Sequence, residues 1–104
     1  MKKVFVCSPL RGNIHENILK AKAYSRLVIK HGFLPIVPHI YFTQFLNDEK
    51  PAERKLGLRM GKELLKLCEE LWIFGNLLDK ISNGMASEIT FARKHDIKIK
   101  DKRI

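Results

Sequence analysis

Cysteine is scarce in this chain: Cys7 and Cys68 are the only two, with no CxxC spacing and no His/Cys cluster. A disulfide framework and a zinc module are therefore excluded, and no metal is implied. Both thiols are expected to be free and buried, Cys7 at the end of a strand and Cys68 near the end of a helix. Long apolar runs are also missing, since none approaches the ~20 residues that a membrane-spanning helix needs. The stretch after Met1-Lys2-Lys3 is only Val4-Phe5-Val6-Cys7, too short for the core of a secretion signal and better read as a first strand. The expected location is the cytoplasm, with no membrane partner. Neither a Walker A loop nor a GxGxxG fingerprint occurs, and there is no internal repeat or low-complexity linker, so no cofactor is implied.

Acidic residues are few as well: 11 Asp and Glu stand against 20 Lys and Arg, a net charge of +9. Such a surface attracts nucleic acid, but it equally draws a small phosphorylated substrate into a focused cleft. The positive charges are spread over helix faces and the tail Lys98 to Arg103, with no compact basic cluster, so nucleic acid is the less favoured partner.

What is present suits one domain over residues 1–104, with 45% hydrophobic residues for a core and 30% charged residues for a surface. The apolar run Val4 to Cys7 ends in the turn Ser8-Pro9-Leu10-Arg11-Gly12-Asn13, whose Asn13 can cap a helix. Ile14, Ile18, Ala21 and Val28 then recur at helical spacing up to a terminating Gly32. Phe33 to Val37 gives a second strand, cut off by Pro38. Residues 39–51 form an aromatic loop with Tyr41, Phe42, Phe45 and Asp48, long enough for a lid. A second helix is expected from Pro51 to Cys68, with Leu56, Met60, Leu64 and Leu67 as its inner stripe. Leu71-Trp72-Ile73-Phe74 is the most hydrophobic strand and is expected to be central. A third helix from about Gly84 to His95 turns Met85, Ile89 and Ala92 inward, and Ile97-Lys98-Ile99 closes the chain as a thin strand.

This alternation argues for an α/β fold: a small three-layer sandwich, a flavodoxin-like parallel sheet of four or five strands in the order 2-1-3-4. In such sheets ligands bind beyond the carboxyl ends of the strands, at the switch point between strands 1 and 3. Three turns meet there. In the first, Ser8, the Gly12 backbone and Arg11 make an anion cradle or a plain strand-helix turn. The last, Ser82 to Ile89, places Glu88 about one turn after Gly84, where the helix dipole is expected to keep its carboxylate ionised. An ionised carboxylate suits a nucleophile at a sugar carbon; the alternative is a glutamate that only stabilises the helix. His39 after Pro38 is a base contact or proton donor, or a loop histidine bonded to backbone.

Together, Cys7-Ser8-Pro9-Leu10-Arg11-Gly12 and Ser82-Asn83-Gly84-Met85-Ala86-Ser87-Glu88 resemble the nucleoside 2-deoxyribosyltransferase superfamily, in particular its 2'-deoxynucleoside 5'-phosphate N-hydrolases and small bacterial and phage relatives. The resemblance extends over nearly the whole chain, including Pro38-His39 and the stretch Asp48, Glu53-Arg54, Gly57. It implies that Glu88 matches the family's catalytic glutamate, which attacks C1' and forms a glycosyl-enzyme intermediate. It implies that Ser82 takes the position where the phosphate hydrolases have serine, that the Arg11-Gly12 turn receives a 5'-phosphate, and that Glu69 falls near an acidic residue assisting the leaving base. Ser8 and Pro9 of the same turn, and Gly84 and Met85 beside the sugar, complete the candidate site. One departure is plain: where the family usually has a tyrosine on the first strand to orient the glutamate, this chain has Phe5, leaving Tyr41 or Tyr24 as substitutes.

The expected activity is cleavage or transfer of the N-glycosidic bond of a nucleoside or its 5'-monophosphate, in a homodimer or larger homo-oligomer. A nucleotide-binding sensor without turnover and a basic nucleic-acid accessory protein are the other readings.

Overall fold

The computed structural model describes residues 1–104. In chain order the elements are β1 (Lys3–Cys7), α1 (Ile14–Lys30), β2 (Leu34–Ile36), α2 (Pro38–Phe42), α3 (Pro51–Leu65), β3 (Glu70–Ile73), α4 (Asn83–Lys94) and β4 (Lys98–Asp101). The four strands form one parallel sheet in the order β2-β1-β3-β4, as the alternation of elements predicts. Phe5 stands opposite Leu71, and Cys7 opposite Ile73. The central pair β1 and β3 is apolar and almost wholly buried, whereas the edges are short or charged: β2 carries Pro35, and β4 carries Lys98 and Lys100. Proline and lysine on edge strands discourage pairing with another chain.

Side-chain alternation divides the core in two. Val4, Val6, Trp72 and Phe74 pack with Val28 of α1 on one face. Phe5, Cys7, Leu71 and Ile73 pack with Leu65 of α3 and with Met85, Ile89 and Ala92 of α4 on the other. Three layers result because the two central strands bury both of their faces. Truncating a fully enclosed side chain such as Leu71 should cost about 3 kcal/mol. Asn13 caps α1 as expected, its Oδ1 accepting from Glu16 N at 3.1 Å, and both cysteines are buried and free.

Two expectations are corrected. The aromatic loop is not irregular from its start: residues 38–42 form the short helix α2, because Pro38 at its first turn has φ already set for a helix. The inner stripe of α3 is also not Leu56, Met60, Leu64 and Leu67. The buried residues of α3 are Gly61 and Leu65, and Leu67, beyond the helix end, is 63% exposed. Gly57 and Gly61 bring the α3 backbone against Leu46 and Pro38, 3.5 and 3.6 Å from where a Cβ would stand. The small residues therefore mark the close-packed face, and the leucines lie beside it.

Candidate active site

The carboxyl ends of β1, β2 and β3 open into one cleft. Its inner chamber, of about 40 Å³, is lined by Pro38, His39, Phe42, Asp48, Arg54 and Glu88, among others. Leu10, His39, Asp48, Arg54 and Leu58 are shared with a larger groove of about 140 Å³, which adds Ser8, Arg11, Ser82, Asn83, Gly84 and Met85. The chamber beside Glu88 has room for a few waters.

Glu88 reaches this chamber from α4, beyond that helix's first turn, and is 3% exposed. Burial pushes its carboxyl up to about 8; the Cys7 thiol and the charge of Lys62 act in the opposite direction and offset only part of the rise. The expectation of a carboxylate kept ionised by the helix dipole is thus overturned. The dipole fades beyond the first turn, while loss of water acts on the whole buried group, so the neutral form of Glu88 is favoured. Its Oε1 has no hydrogen-bond partner.

Ser82 caps α4, its Oγ accepting from Met85 N at 3.3 Å, and its side of the helix start forms the groove wall. Met85 is buried in the core and still contributes to the groove floor. Ser8 is 1% exposed with an Oγ that has no partner, at the end of β1. His39 Nε2 lies 2.7 Å from the Ser8 carbonyl oxygen. A carbonyl only accepts, so Nε2 carries the proton and Nδ1 keeps its lone pair. Burial lowers the pKa of His39, with the Ser8 bond and the Asp48 charge opposing, so the ring favours its neutral form.

Arg11 extends from the first turn and remains 61% exposed, its Nε 3.8 Å from Asp48 Oδ2; Arg54 Nε lies at the same 3.8 Å from that oxygen. Gly12, with φ of 99°, supplies the left-handed conformation of the turn and does not itself line the cleft. Pro9 faces the outer side, against Gly75.

Glu69 is not brought to the cleft. It is exposed at the opposite end of the sheet, where its carboxylate accepts from Lys3 N and pairs with Lys3 Nζ at 3.6 Å. The residue preceding a parallel strand lies at the strand's amino end, away from any site at the carboxyl ends. Phe5 is wholly enclosed in the core. Tyr24 stacks on Phe74 on the α1 face, and Tyr41 packs against Phe42 and Phe45, so neither lines the chamber of Glu88. The polar group of β1 beside Glu88 is Cys7, two residues beyond Phe5 on the same face. Burial, then the charge of Glu88, then a hydrogen bond with it raise the Cys7 thiol pKa well above its usual range, and Cys7 Sγ is 3.9 Å from Met85 O.

Sequence reasoning gave no site role to Asp48, Arg54, Leu58 or Cys7. For the α3 pair a signal existed: Arg54, Gly57, Leu58, Gly61 and Leu65 recur at helical spacing, and the glycines distinguish that face.

A family described as "Domain of unknown function (DUF7768)" matches residues 2–102. No curated protein matches the chain. Among solved structures the chain is similar to a 2-deoxyribosyltransferase from the psychrotolerant bacterium Bacillus psychrosaccharolyticus, with a TM-score of 0.76 and 12% identity, over 97% of this chain and 72% of that one. At that identity the likeness is one of fold.

Proposed function

The chain belongs to the DUF7768 family, and within it we propose an enzyme that cleaves or transfers the N-glycosidic bond of a nucleoside or its 5'-monophosphate, with Glu88 as nucleophile. One observation carries this reading. The three buried side-chain oxygens without a hydrogen-bond partner, on Ser8, Asp48 and Glu88, all belong to the one cleft. Orphaned buried polar atoms are expensive for a fold, and their convergence supports a site kept for a ligand.

The chemistry balances through the proton that Glu88 holds. The glutamate carboxyl loses that proton and bonds through oxygen to C1' as the C1'–N bond breaks; the base departs with the bonding electrons and takes up one proton. Water then attacks the ester, releasing the sugar and restoring the acid; a second base in place of water makes the reaction a transfer. Ser82 and the Gly84 backbone position the sugar, Met85 packs beneath it, and Ser8 and Arg11 hold the phosphate. His39 presents its Nδ1 lone pair as an acceptor, to an N–H of the base or to the proton that Glu88 gives up. The likeness of fold to a 2-deoxyribosyltransferase supports the substrate class.

Incubation with a panel of deoxynucleosides and their 5'-monophosphates, followed by chromatography of the released base, tests this. Turnover that Glu88→Gln abolishes is expected. Ligand-induced thermal stabilisation with no base release from any substrate would replace the catalyst with a sensor. Light scattering of the purified chain tests the expected self-association.

A further inference from the structure

The two arginines of the cleft share an unusual neighbour. Arg11 comes from the first turn and Arg54 from α3, and both direct their Nε toward Asp48 Oδ2 at 3.8 Å. Neither distance is a hydrogen bond, and that oxygen is buried with no donor at all. An ion pair evolved as a strut would be expected to close into the forked geometry that guanidinium and carboxylate adopt; this one stays open. Glu53, the other carboxylate near Arg54, is engaged elsewhere, accepting from Asn47 N at 3.1 Å and pairing with Lys50.

We propose that Arg11 and Arg54 form a two-guanidinium site for a phosphate monoester, and that the Asp48 carboxylate is its occupant in the free protein, a built-in anion that the ligand's phosphate displaces. The inference rests on the nucleotide reading above and deepens it by making the phosphate a requirement for entry. Three further features point to a ligand at this place. Ser8 Oγ, buried and unpartnered, belongs to the same groove. Arg54 Nη2 comes within 3.7 Å of where a Gly84 Cβ would stand, which puts its fork at the start of α4, where the helix favours an anion. Asp48 lies on residues 43–50, between α2 and α3, outside any helix or strand, so it can withdraw without breaking a backbone ladder.

Displacement also couples binding to space. Asp48 lines both the groove and the chamber of Glu88. While it sits between the arginines, the chamber holds only water; when a phosphate takes its place, the wall that Asp48 forms moves and the sugar gains access to Glu88. A nucleoside without phosphate has nothing to exchange for the carboxylate.

Calorimetric titration of inorganic phosphate, a deoxynucleoside 5'-monophosphate and the matching deoxynucleoside into the wild type, Asp48→Asn and Arg54→Gln tests this. Asp48→Asn removes the competing charge at constant shape and should tighten phosphate and monophosphate binding about fivefold or more, whereas Arg54→Gln should weaken monophosphate binding about tenfold. Circular dichroism checks the fold of each variant; if Arg54→Gln does not fold, Arg54→Lys, which keeps the charge and loses the fork, should give an intermediate loss. Weaker or unchanged binding in Asp48→Asn, or wild-type affinities equal for nucleoside and monophosphate, overturns the proposal. Because binding is read without turnover, a chain that behaves as expected but never releases base upholds this inference and fails the catalytic one. Equal kcat/KM for nucleoside and monophosphate does the reverse.

Discussion

Glu70 and Glu88 are hidden to the same degree, each 3% exposed, yet they sit in opposite chemical states. Glu70 lies at the amino end of the sheet, where burial pushes its carboxyl up but is outweighed by Trp72 Nε1 donating at 2.8 Å, by Lys2 at 2.9 Å and by Lys100 at 3.2 Å. The net result is a pKa lowered to about 2. Glu88, at the carboxyl end, is equally hidden from solvent but lies far deeper among protein atoms, has no partner for Oε1, and rises to about 8. Lack of exposure by itself therefore says little about a carboxylate's role; its depth among protein atoms and the supply of donors decide it together. A fully partnered acid ties strands together, and an unpartnered one retains free energy for a ligand to release.

The sharpest way to break this contrast is at Glu88. Glu88→Gln keeps shape and should abolish base release by at least about a thousandfold, since the nucleophile is lost. Retained turnover, followed by chromatography, would move the chemistry to another group.

The second test reads stability against pH in urea titrations. Glu88, with a folded pKa near 8 against an ordinary 4.5, contributes stability that is fully present below pH 4.5 and lost as pH rises toward 8. Glu70, with a folded pKa near 2 against 4.5, contributes stability present above pH 4.5 and lost as pH falls toward 2. Glu88→Gln should flatten the upper arm, by a few kcal/mol, and leave the lower arm in place. An unchanged upper arm would show that Glu88 is solvated in solution.

Third, Glu70→Ala leaves the Trp72 N–H without its acceptor and two lysines without their counter-charge, and should cost about 2 kcal/mol in the same assay with base release intact. The smallest effect is expected at Cys7. Since its thiol hydrogen bond favours the charged form of Glu88, Cys7→Ala should move the falling limb of the kcat/KM pH profile, where Glu88 loses the proton that the reaction uses, to higher pH, and Cys7→Ser, a stronger donor, should move it to lower pH. A profile indifferent to both would remove Cys7 as the group that takes over from the missing tyrosine.

Most of the architecture was legible in the chain. Runs such as Val4 to Cys7 and Leu71 to Phe74 are apolar on both faces, and only a covered parallel strand needs that. Asn13 and Gly32 mark helix ends through local hydrogen bonding and φ preference, which neighbours in sequence suffice to determine. The α3 stripe was misread because Leu56, Met60 and Leu64 are the more hydrophobic set, while the packed face is chosen by how closely Gly57 and Gly61 let Leu46 and Pro38 approach.

The site divides along the same line. That Glu88, Ser82, Arg11 and Ser8 lie near strand ends follows from the order of elements, because every carboxyl end of a parallel sheet opens on one side. The sequence by itself determined that order, the two-faced core and the candidate glutamate. Tertiary structure alone decided that Glu69 faces away, that Asp48 and Arg54 enter the cleft from beyond α2, and that Glu88 is cut off from water, which favours its neutral form. Those depend on which donors and how much water surround a group, and both are properties of distant segments brought together.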